Sequence, residues 1–239
     1  MRRNRKDSGK GLRMKKSRIG RKWMALALAL ALLLAGCGRG MEKLAAEYVQ
    51  ADLDLVFQGE TQGAKKFIDA SKTELEQVYV NGINAFVQNY LMGGVETDTD
   101  FSTTYGKTVE QIFTVQKYQV GEAKRTGKHT YEVPVTYRPV NVFTIFIPEL
   151  REEAAKIEAD AAAGKYSGTE EEIQKTMILD YMTHAYTLLE RAYMEMEHGE
   201  EETFTFTVTA ENKKKISMDE EEINTFIERI LELDKLENV

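Results

Sequence analysis

The stretch "HTYEVPVTY", residues 129–137, alternates apolar and polar side chains, and this alternation decides the fold class. A period of two is typical of a strand with one buried face. The side chains predicted to face the core are Tyr131, Val133, Val135 and Tyr137. A second alternating stretch, "TFTFTVTA" at residues 203–210, predicts another strand, whose inward side chains are Phe204, Phe206 and Val208.

The residues around the first strand predict a hairpin and a neighbouring strand. "YQVGEA" at residues 118–123 is separated from the first strand by residues 124–128, where Gly127 favours a tight turn. Pro134 has no N–H to donate, so this strand, or one side of it, is predicted to be a sheet edge. "VNVFTIFI" at residues 140–147 is predicted to be a further strand, with Pro148 opening a helix that extends to residue 163.

Helical periodicity covers most of the remaining chain. Apolar residues recur at three- and four-residue spacing over residues 44–58, 71–91, 109–113, 170–198 and 223–231. Capping boxes are predicted at Ser71–Glu74, Thr169–Glu172 and Ser217–Glu220. The helix over 170–198 is apolar nearly all round, which favours burial on most of its sides. Gly82 lies in mid-helix, where glycine costs about 1 kcal/mol relative to alanine, so we expect another element to approach it closely.

The order of these elements differs from the strand–helix alternation of a parallel sheet. We therefore predict an α+β fold, in which a small antiparallel sheet packs against several helices, with a long central apolar helix. The predicted organisation is a leader segment over 1–36, a short tether over 37–40 and a single α+β domain over 41–239.

The first of these segments has two parts of opposite character. Residues 1–22 contain eleven Lys or Arg and one acid, whereas residues 23–35 contain no charged residue. A membrane-spanning helix needs about 20 apolar residues, so this run is too short for one. A basic segment followed by a short apolar one is typical of a secretory signal peptide.

The only cysteine of the chain, Cys37, follows Leu34, Ala35 and Gly36 at the end of this apolar run. The four residues resemble the bacterial lipobox, in which the cysteine sulfur receives a diacylglyceryl group and cleavage leaves the cysteine as the first residue. The resemblance implies that Cys37 anchors the protein by lipid, palmitate included, on the extracytoplasmic face of the cell membrane. A single cysteine also leaves no intramolecular disulfide.

The charge of the chain is unevenly distributed. Residues 1–36 hold eleven of the 32 basic residues and one of the 39 acids, so the remaining 203 residues carry a net charge of about −17. A strongly acidic domain is repelled by nucleic acids and by anionic lipid head groups. We expect no nucleic-acid partner.

Two groups of residues invite comparison with known binding motifs. Residues 121–128 approach a phosphate-binding loop, but five residues separate the glycines and a strand follows, so a hairpin turn is predicted. Glu96, Asp98 and Asp100 alternate as in a calcium loop without its sixth-position glycine and twelfth-position glutamate. A solvated acidic loop is predicted there, with weak calcium binding as the alternative.

Two further pairs lie on the 170–198 helix. Glu195 and His198 have the spacing found in di-iron bundles, but no second such pair exists, and a histidine at a helix C-terminus is favoured by the helix dipole. Asp180 and His184 could form a base with its orienting acid; without a nucleophile motif, a satisfied core pair is predicted. We therefore predict no catalytic residue, metal or cofactor.

The order of segments also resembles a family of uncharacterised surface lipoproteins from Gram-positive gut and oral bacteria. The stretches that carry the resemblance are "YVQADLDLVFQGE" (48–60), "SKTELEQVYVNGINAFVQNYL" (71–91), "YEVPVTYRPVNVF" (131–143) and "TFTFTVTAENKKKISMDEEEINTFIERIL" (203–231). The last stretch is loosely similar to NTF2-like or cystatin-like lipoprotein domains. The resemblance implies a domain of unknown function without assigned catalytic residues.

Together these features predict a lipid-anchored, non-enzymatic domain that binds a small ligand or an envelope protein at the cell surface. The alternative is the substrate-binding component of a transporter, although 203 residues are few for a two-lobed binder. An envelope enzyme is the third hypothesis, because no nucleophile–base pair or metal-ligand set is complete.

Overall fold

The computed structural model of the chain describes residues 40–92, 101–212 and 214–238. The helices are α1 (residues 40–58), α2 (Thr61–Ala64), α3 (Lys72–Phe86), α4 (Phe101–Thr114), α5 (Val142–Ala162), α6 (Glu170–Glu195) and α7 (Glu220–Ile230). The strands are β1 (Lys117–Val120), β2 (Lys124–Arg125), β3 (Thr130–Arg138), β4 (Glu202–Asn212) and β5 (Lys215–Met218). A π-helical turn, Val87–Leu91, continues α3, and a 3-10 helix, Leu233–Asn238, follows α7. The α+β prediction is confirmed.

The strands form one antiparallel sheet in the order β1-β3-β4-β5, with β2 pairing on the β1 side of β3. The register of β3 and β4 places Val133 opposite Phe206 and Val135 opposite Phe204. All of the side chains predicted to face inward from these two strands are buried. The predicted hairpin turn is also present, because Thr126 and Gly127 both donate to the carbonyl of Thr130.

The position of Pro134 shows why the predicted edge is only half right. β3 lies between β1 and β4, so it is an interior strand. On the β1 side, however, the ladder is interrupted between Val120 and Lys124, and Gly121 N–H donates to the carbonyl of Pro134 at 2.8 Å. In a strand the N and O of one residue point to the same side. The proline nitrogen therefore faces this interruption, where no ladder bond is lost.

The prediction of a strand over 140–147 is wrong, because α5 begins at Val142 and contains Pro148 in its interior. The buried side chains of this helix recur at helical spacing: Val142, Phe143, Phe146 and Leu150. A short apolar run fits both periods, and here the helical face is the one that meets the core.

Burial of the long predicted helix α6 differs from expectation. α6 is the long helix that the sequence predicts, but its buried residues form one stripe: Met182, Ala185, Leu189 and Ala192. Leu179 and Met194 of the same helix are 48% and 75% exposed. In contrast, α1 has four residues with no exposed surface, namely Ala45, Val49, Leu53 and Phe57.

Two of the three predicted capping boxes are confirmed. Ser71 and Thr169 each accept a hydrogen bond from the backbone of the glutamate three residues later, and each glutamate returns one. The third is wrong: Ser217 belongs to β5, and Asp219 caps α7 by accepting from Glu221 N–H at 3.0 Å. Asp and Ser are both good N-caps, so the sequence alone placed this boundary two residues early.

Candidate functional site

A groove of about 530 Å³ opens between α1, α3 and α7. Its walls include Asp52 and Val56 of α1, Tyr79 and Gly82 of α3, and Ile223 and Ile227 of α7. We call it the α1–α3–α7 groove. Concave and mostly apolar sites with a few polar groups are the usual form of small-ligand sites.

Gly82 contributes to the width of this groove. A Cβ atom added to Gly82 would have no atom within 4 Å, so the prediction of a closely approaching element is wrong. The glycine instead leaves open space on the groove side of α3. Val78, one turn before Gly82, is 57% exposed, although the sequence predicts it to be in the core.

The π-helical turn after α3 places Tyr90 at one end of the groove. The Tyr90 ring stacks on Phe86 with centroids 4.7 Å apart, and its hydroxyl lies 3.5 Å from Oε1 of Glu228 on α7. Burial, followed by the charge of Glu228, raises the pKa of Tyr90. A smaller cavity of about 320 Å³ shares Tyr90 and Glu228 and continues towards Leu233, Asp234 and Leu236. Tyr90 and Glu228 therefore mark the boundary between the two cavities. Turns of this helical type are frequent at functional sites.

Asp52 is the most unusual residue of the groove. Its Oδ2 atom is shielded from solvent and accepts no hydrogen bond from any residue that the structure describes. Burial raises the pKa of Asp52 to about 6. A buried carboxylate is normally paired, and an unpaired one needs an explanation. Asp52 is therefore suited to receive a proton donor or a positive charge from outside the chain.

Tyr79 has a second shielded polar atom in the same groove. Its hydroxyl has no hydrogen-bond partner within the described residues. Burial, and to a smaller extent the charge of Glu110, raises the pKa of Tyr79 to about 12, so the phenol is neutral at physiological pH. The ring packs on Gly59, which ends α1 with a φ of +64°; a Cβ there would lie 3.1 Å from the ring. The close packing fixes the position of the ring.

The charge of the groove has one sign. Its described lining includes the acids Asp52 and Glu228 but no Lys, Arg or His. The remaining polar side chains are the amides Asn89 and Asn224 and the phenols of Tyr79 and Tyr90. This set can hold an apolar body and pair with a donor or a cation. It lacks the positive groups that an anionic ligand would need.

The structure separates the residue pairs that the sequence singled out. α6 ends at Glu195, so His198 lies outside the helix, where its Nε2 is 3.2 Å from the carbonyl oxygen of Val115. Asp180 accepts from the hydroxyl of Tyr166 at 3.0 Å, and His184 Nδ1 lies 2.5 Å from Glu153 Oε1. The predicted Asp180–His184 core pair is therefore wrong: each residue contacts a different partner, and the His184 side chain is 49% exposed.

The remaining candidates from the sequence are the 121–128 loop, the lipobox-like residues and the acidic segment. Residues 121–128 contain β2 and a turn, and a strand follows, as predicted. Leu34, Ala35, Gly36 and Cys37 lie outside the described residues, as do Glu96, Asp98 and Asp100. Within the described ranges, no three His, Cys, Asp or Glu side chains are grouped to hold a metal ion. Over the same ranges, no helix has the length and apolar character of a membrane span.

Sequence reasoning did not identify Asp52, although the signal was present. In "YVQADLDLVFQGE" Asp52 lies four residues after Tyr48 and three before Leu55, on the apolar face predicted for α1. An acid on a predicted core face is a candidate for a functional group. The helical spacing over residues 71–91 predicts Tyr79 and Tyr90 to be core aromatics, because periodicity does not distinguish a groove wall from a filled core.

Comparisons with known proteins find little similarity. No protein-family model matches the chain. No curated protein matches its sequence. Among solved structures, the chain is similar to the crystal structure of the candidate lipoprotein YcdA from Bacillus subtilis, with 14% identity and a TM-score of 0.49. The match covers 80% of this chain and 57% of YcdA, so the chain spans a little over half the length of that protein. Similarity at this level assigns no role to the chain, and the NTF2-like or cystatin-like resemblance stays a prediction.

Proposed function

We propose that this protein is a lipid-anchored, non-enzymatic binding domain of the cell envelope, and that it binds a small ligand in the α1–α3–α7 groove. The observation that carries the binding role is the charge of Asp52, a half-buried residue whose Oδ2 atom has no hydrogen-bond partner among the described residues, in the wall of an otherwise largely apolar groove. A buried group without a partner costs stability, and proteins keep such groups at sites where function requires them.

The anchor is proposed from the sequence before the fold. Leu34, Ala35 and Gly36 precede Cys37, and the structure describes the chain from residue 40, within α1. Only Gly38 and Arg39 lie between the lipid attachment point and residue 40, so the described domain starts within about 11 Å of Cys37. Such a tether holds the binding domain at the bilayer surface, on the extracytoplasmic side to which a signal peptide directs it.

The anchor is tested by replacing Cys37 with serine in cells that are fed a tagged palmitate. We expect label on the wild-type protein and none on Cys37→Ser, together with release of the variant from the membrane fraction. Equal labelling of both proteins would contradict the lipobox assignment but would leave the groove untouched.

The binding role is tested on the purified full-length protein in phosphatidylcholine nanodiscs. Thermal unfolding is followed by circular dichroism against a panel of amino acids, short peptides, sugars, alcohols, carboxylates and amines. We expect at least one class to raise the melting temperature, because a ligand that binds only the folded state stabilises it.

A pair of leucine variants assigns any such binding to the groove. Gly82→Leu places a side chain into the open space beside Gly82, whereas Asn84→Leu adds the same side chain at an exposed position of α3 outside the groove. Binding should be lost in the first variant and kept in the second. A ligand that binds both variants equally would place its site elsewhere, and a panel without any effect would refute the small-ligand role.

A further inference from the structure

We propose that the ligand of the α1–α3–α7 groove is a small primary amine with an apolar body, and that its ammonium group pairs with Asp52. This inference rests on the proposed function and names the ligand class of the same site. It is argued from the charge complementarity between the groove and such a ligand.

The Asp52 carboxylate favours a positively charged ligand. Oδ2 accepts no hydrogen bond from the described part of the chain and is shielded from water. The neighbouring charged or titratable group on the same helix is Tyr48, one turn earlier, whose pKa is raised by its own burial and then by Asp52. A phenol that stays protonated supplies no positive charge. An ammonium group in the groove supplies a positive charge, so it interacts with the charge of Asp52 more strongly than a neutral donor does.

The other end of the groove is also negatively charged. Glu228 of α7 lies at the boundary beside Tyr90, and Asp234 lies in the smaller cavity beyond it. No described residue that lines either cavity is positively charged. A carboxylate or phosphate ligand would therefore meet only negative charge in a site of reduced polarity, where repulsion between like charges is strong. A cationic ligand is attracted along the whole length of the groove.

The wall of the groove is mostly apolar and favours a ligand with an apolar body. The side chains between the two acids include Val56, Phe86, Ile223 and Ile227, which are buried or half-buried. Burial of a hydrocarbon or aromatic body against them removes apolar surface from water. An inorganic cation would gain nothing from this wall. The wall and the acid together select an amine that carries a carbon skeleton over a bare metal ion.

The experiment compares three probes that share one apolar body: 2-phenylethylamine, 2-phenylethanol and phenylacetate. Each is titrated calorimetrically into the purified full-length protein in phosphatidylcholine nanodiscs, with empty nanodiscs as the blank. We expect the amine to bind about tenfold or more tightly than the alcohol, which corresponds to one charge-assisted contact. We expect no measurable binding of phenylacetate.

Two aspartate variants of α1 then test the role of Asp52. Asp52→Asn should reduce the affinity for the amine to that for the alcohol. Asp54→Asn removes an equal charge two residues away and should keep the preference for the amine, because Asp54 is already paired with Gln50 and Tyr118. Circular dichroism establishes that both variants are folded.

The outcomes separate this inference from the function on which it rests. Equal binding of the amine and the alcohol, or unchanged amine preference in Asp52→Asn, would overturn the amine assignment while leaving a ligand site in the groove. Tighter binding of phenylacetate would do the same. If none of the three probes binds and the wider panel also fails, the small-ligand function and the amine assignment both fall.

Discussion

Two aspartates on the same helix, Asp52 and Asp54, have opposite surroundings. Residues two apart on an α-helix are rotated by about 200° and therefore face nearly opposite sides. Asp54 faces the sheet, where its Oδ1 accepts hydrogen bonds from Gln50 Nε2 and from the hydroxyl of Tyr118, both at 2.7 Å. Asp52 faces the groove, and its Oδ2 has no hydrogen-bond partner in the described chain.

The difference shows how one residue type serves two purposes in one helix. On the sheet side, the hydrogen bond from Tyr118 to Asp54 joins β1 to α1, and burial together with this bond raises the pKa of Tyr118. On the groove side, Oδ2 of Asp52 is shielded from water and has no hydrogen-bond partner in the described chain. The first arrangement stabilises the fold and the second costs stability. Three variants test this difference. One removes core packing of α1, the helix that carries both acids, and two change Asp52 or the partner of Asp54.

The largest effect is expected for Phe57→Ala. Phe57 has no exposed surface, and its ring packs against Phe113, Tyr118 and Phe226 with centroids 5.5, 5.6 and 6.0 Å away. Removing this ring leaves a cavity and should lower the free energy of unfolding by about 3–5 kcal/mol. Urea unfolding measures it, and Val80→Ala, which truncates a side chain that is 47% exposed, should change it by less than about 0.5 kcal/mol. Similar losses in the free energy of unfolding in both variants would mean that α1 is not packed in the core.

The next effect is expected for Asp52→Asn, and its sign is stabilising. Well below pH 3.8 the carboxyl is protonated in both the folded and the unfolded chain, so burial imposes no cost. Because burial raises the folded pKa from 3.8 to about 6, stability from this group is lost as the pH rises from the unfolded pKa through the folded one. The shift corresponds to about 2–3 kcal/mol. Asp52→Asn should therefore raise the free energy of unfolding by up to about that amount at pH 8 and by much less at pH 4.

Urea unfolding of Asp52→Asn and wild type at pH 4, 6 and 8 measures this gain. The difference between the two proteins isolates Asp52 from the other acids of the domain. The asparagine amide brings its own donors, which reduces the gain where they lack partners. A variant that is less stable than wild type at pH 8 would show that Asp52 is paired, and it would remove the basis of the proposed site.

The smallest effect is expected for Tyr118→Phe, on the opposite side of α1. This change deletes the hydroxyl that donates to Asp54, while Gln50 keeps its own bond to the same oxygen. Loss of one hydrogen bond to a carboxylate should cost about 1–2 kcal/mol at pH 7. A double-mutant cycle with Asp54→Asn measures the coupling between the two side chains. Additive losses in this cycle would mean that the bond does not connect α1 to the sheet.

Much of the fold follows from local patterns of residues. The alternation in residues 131–137 and 204–208 predicts the inward faces of β3 and β4, and all of those side chains are buried. Ser71 and Thr169 predict the starts of α3 and α6. These predictions succeed because a period of two and a capping box each depend on residues close together in the chain.

The errors concern contacts between distant segments. Residues 142–147 satisfy a strand and a helix pattern equally well, and the helical face prevails because Val142, Phe143 and Phe146 reach the core together. The groove could not be predicted from Gly82, because a glycine without a side chain indicates close packing as readily as open space. Whether α7 lies across the groove from α3 at that point is decided by contacts between segments far apart in the chain.

The sequence by itself determined the fold class, the inward faces of the two long strands and the acidic character of the chain after residue 36. It also supplies the lipobox-like residues that end at Cys37, from which the anchor is proposed. Only the tertiary structure decided that Asp54 accepts from Tyr118, which is 64 residues away, whereas Oδ2 of Asp52 has no hydrogen-bond partner among the described residues. Hydrogen bonding and burial are properties of the assembled fold, and two aspartates in "ADLD" are locally equivalent until β1, α3 and α7 pack around them.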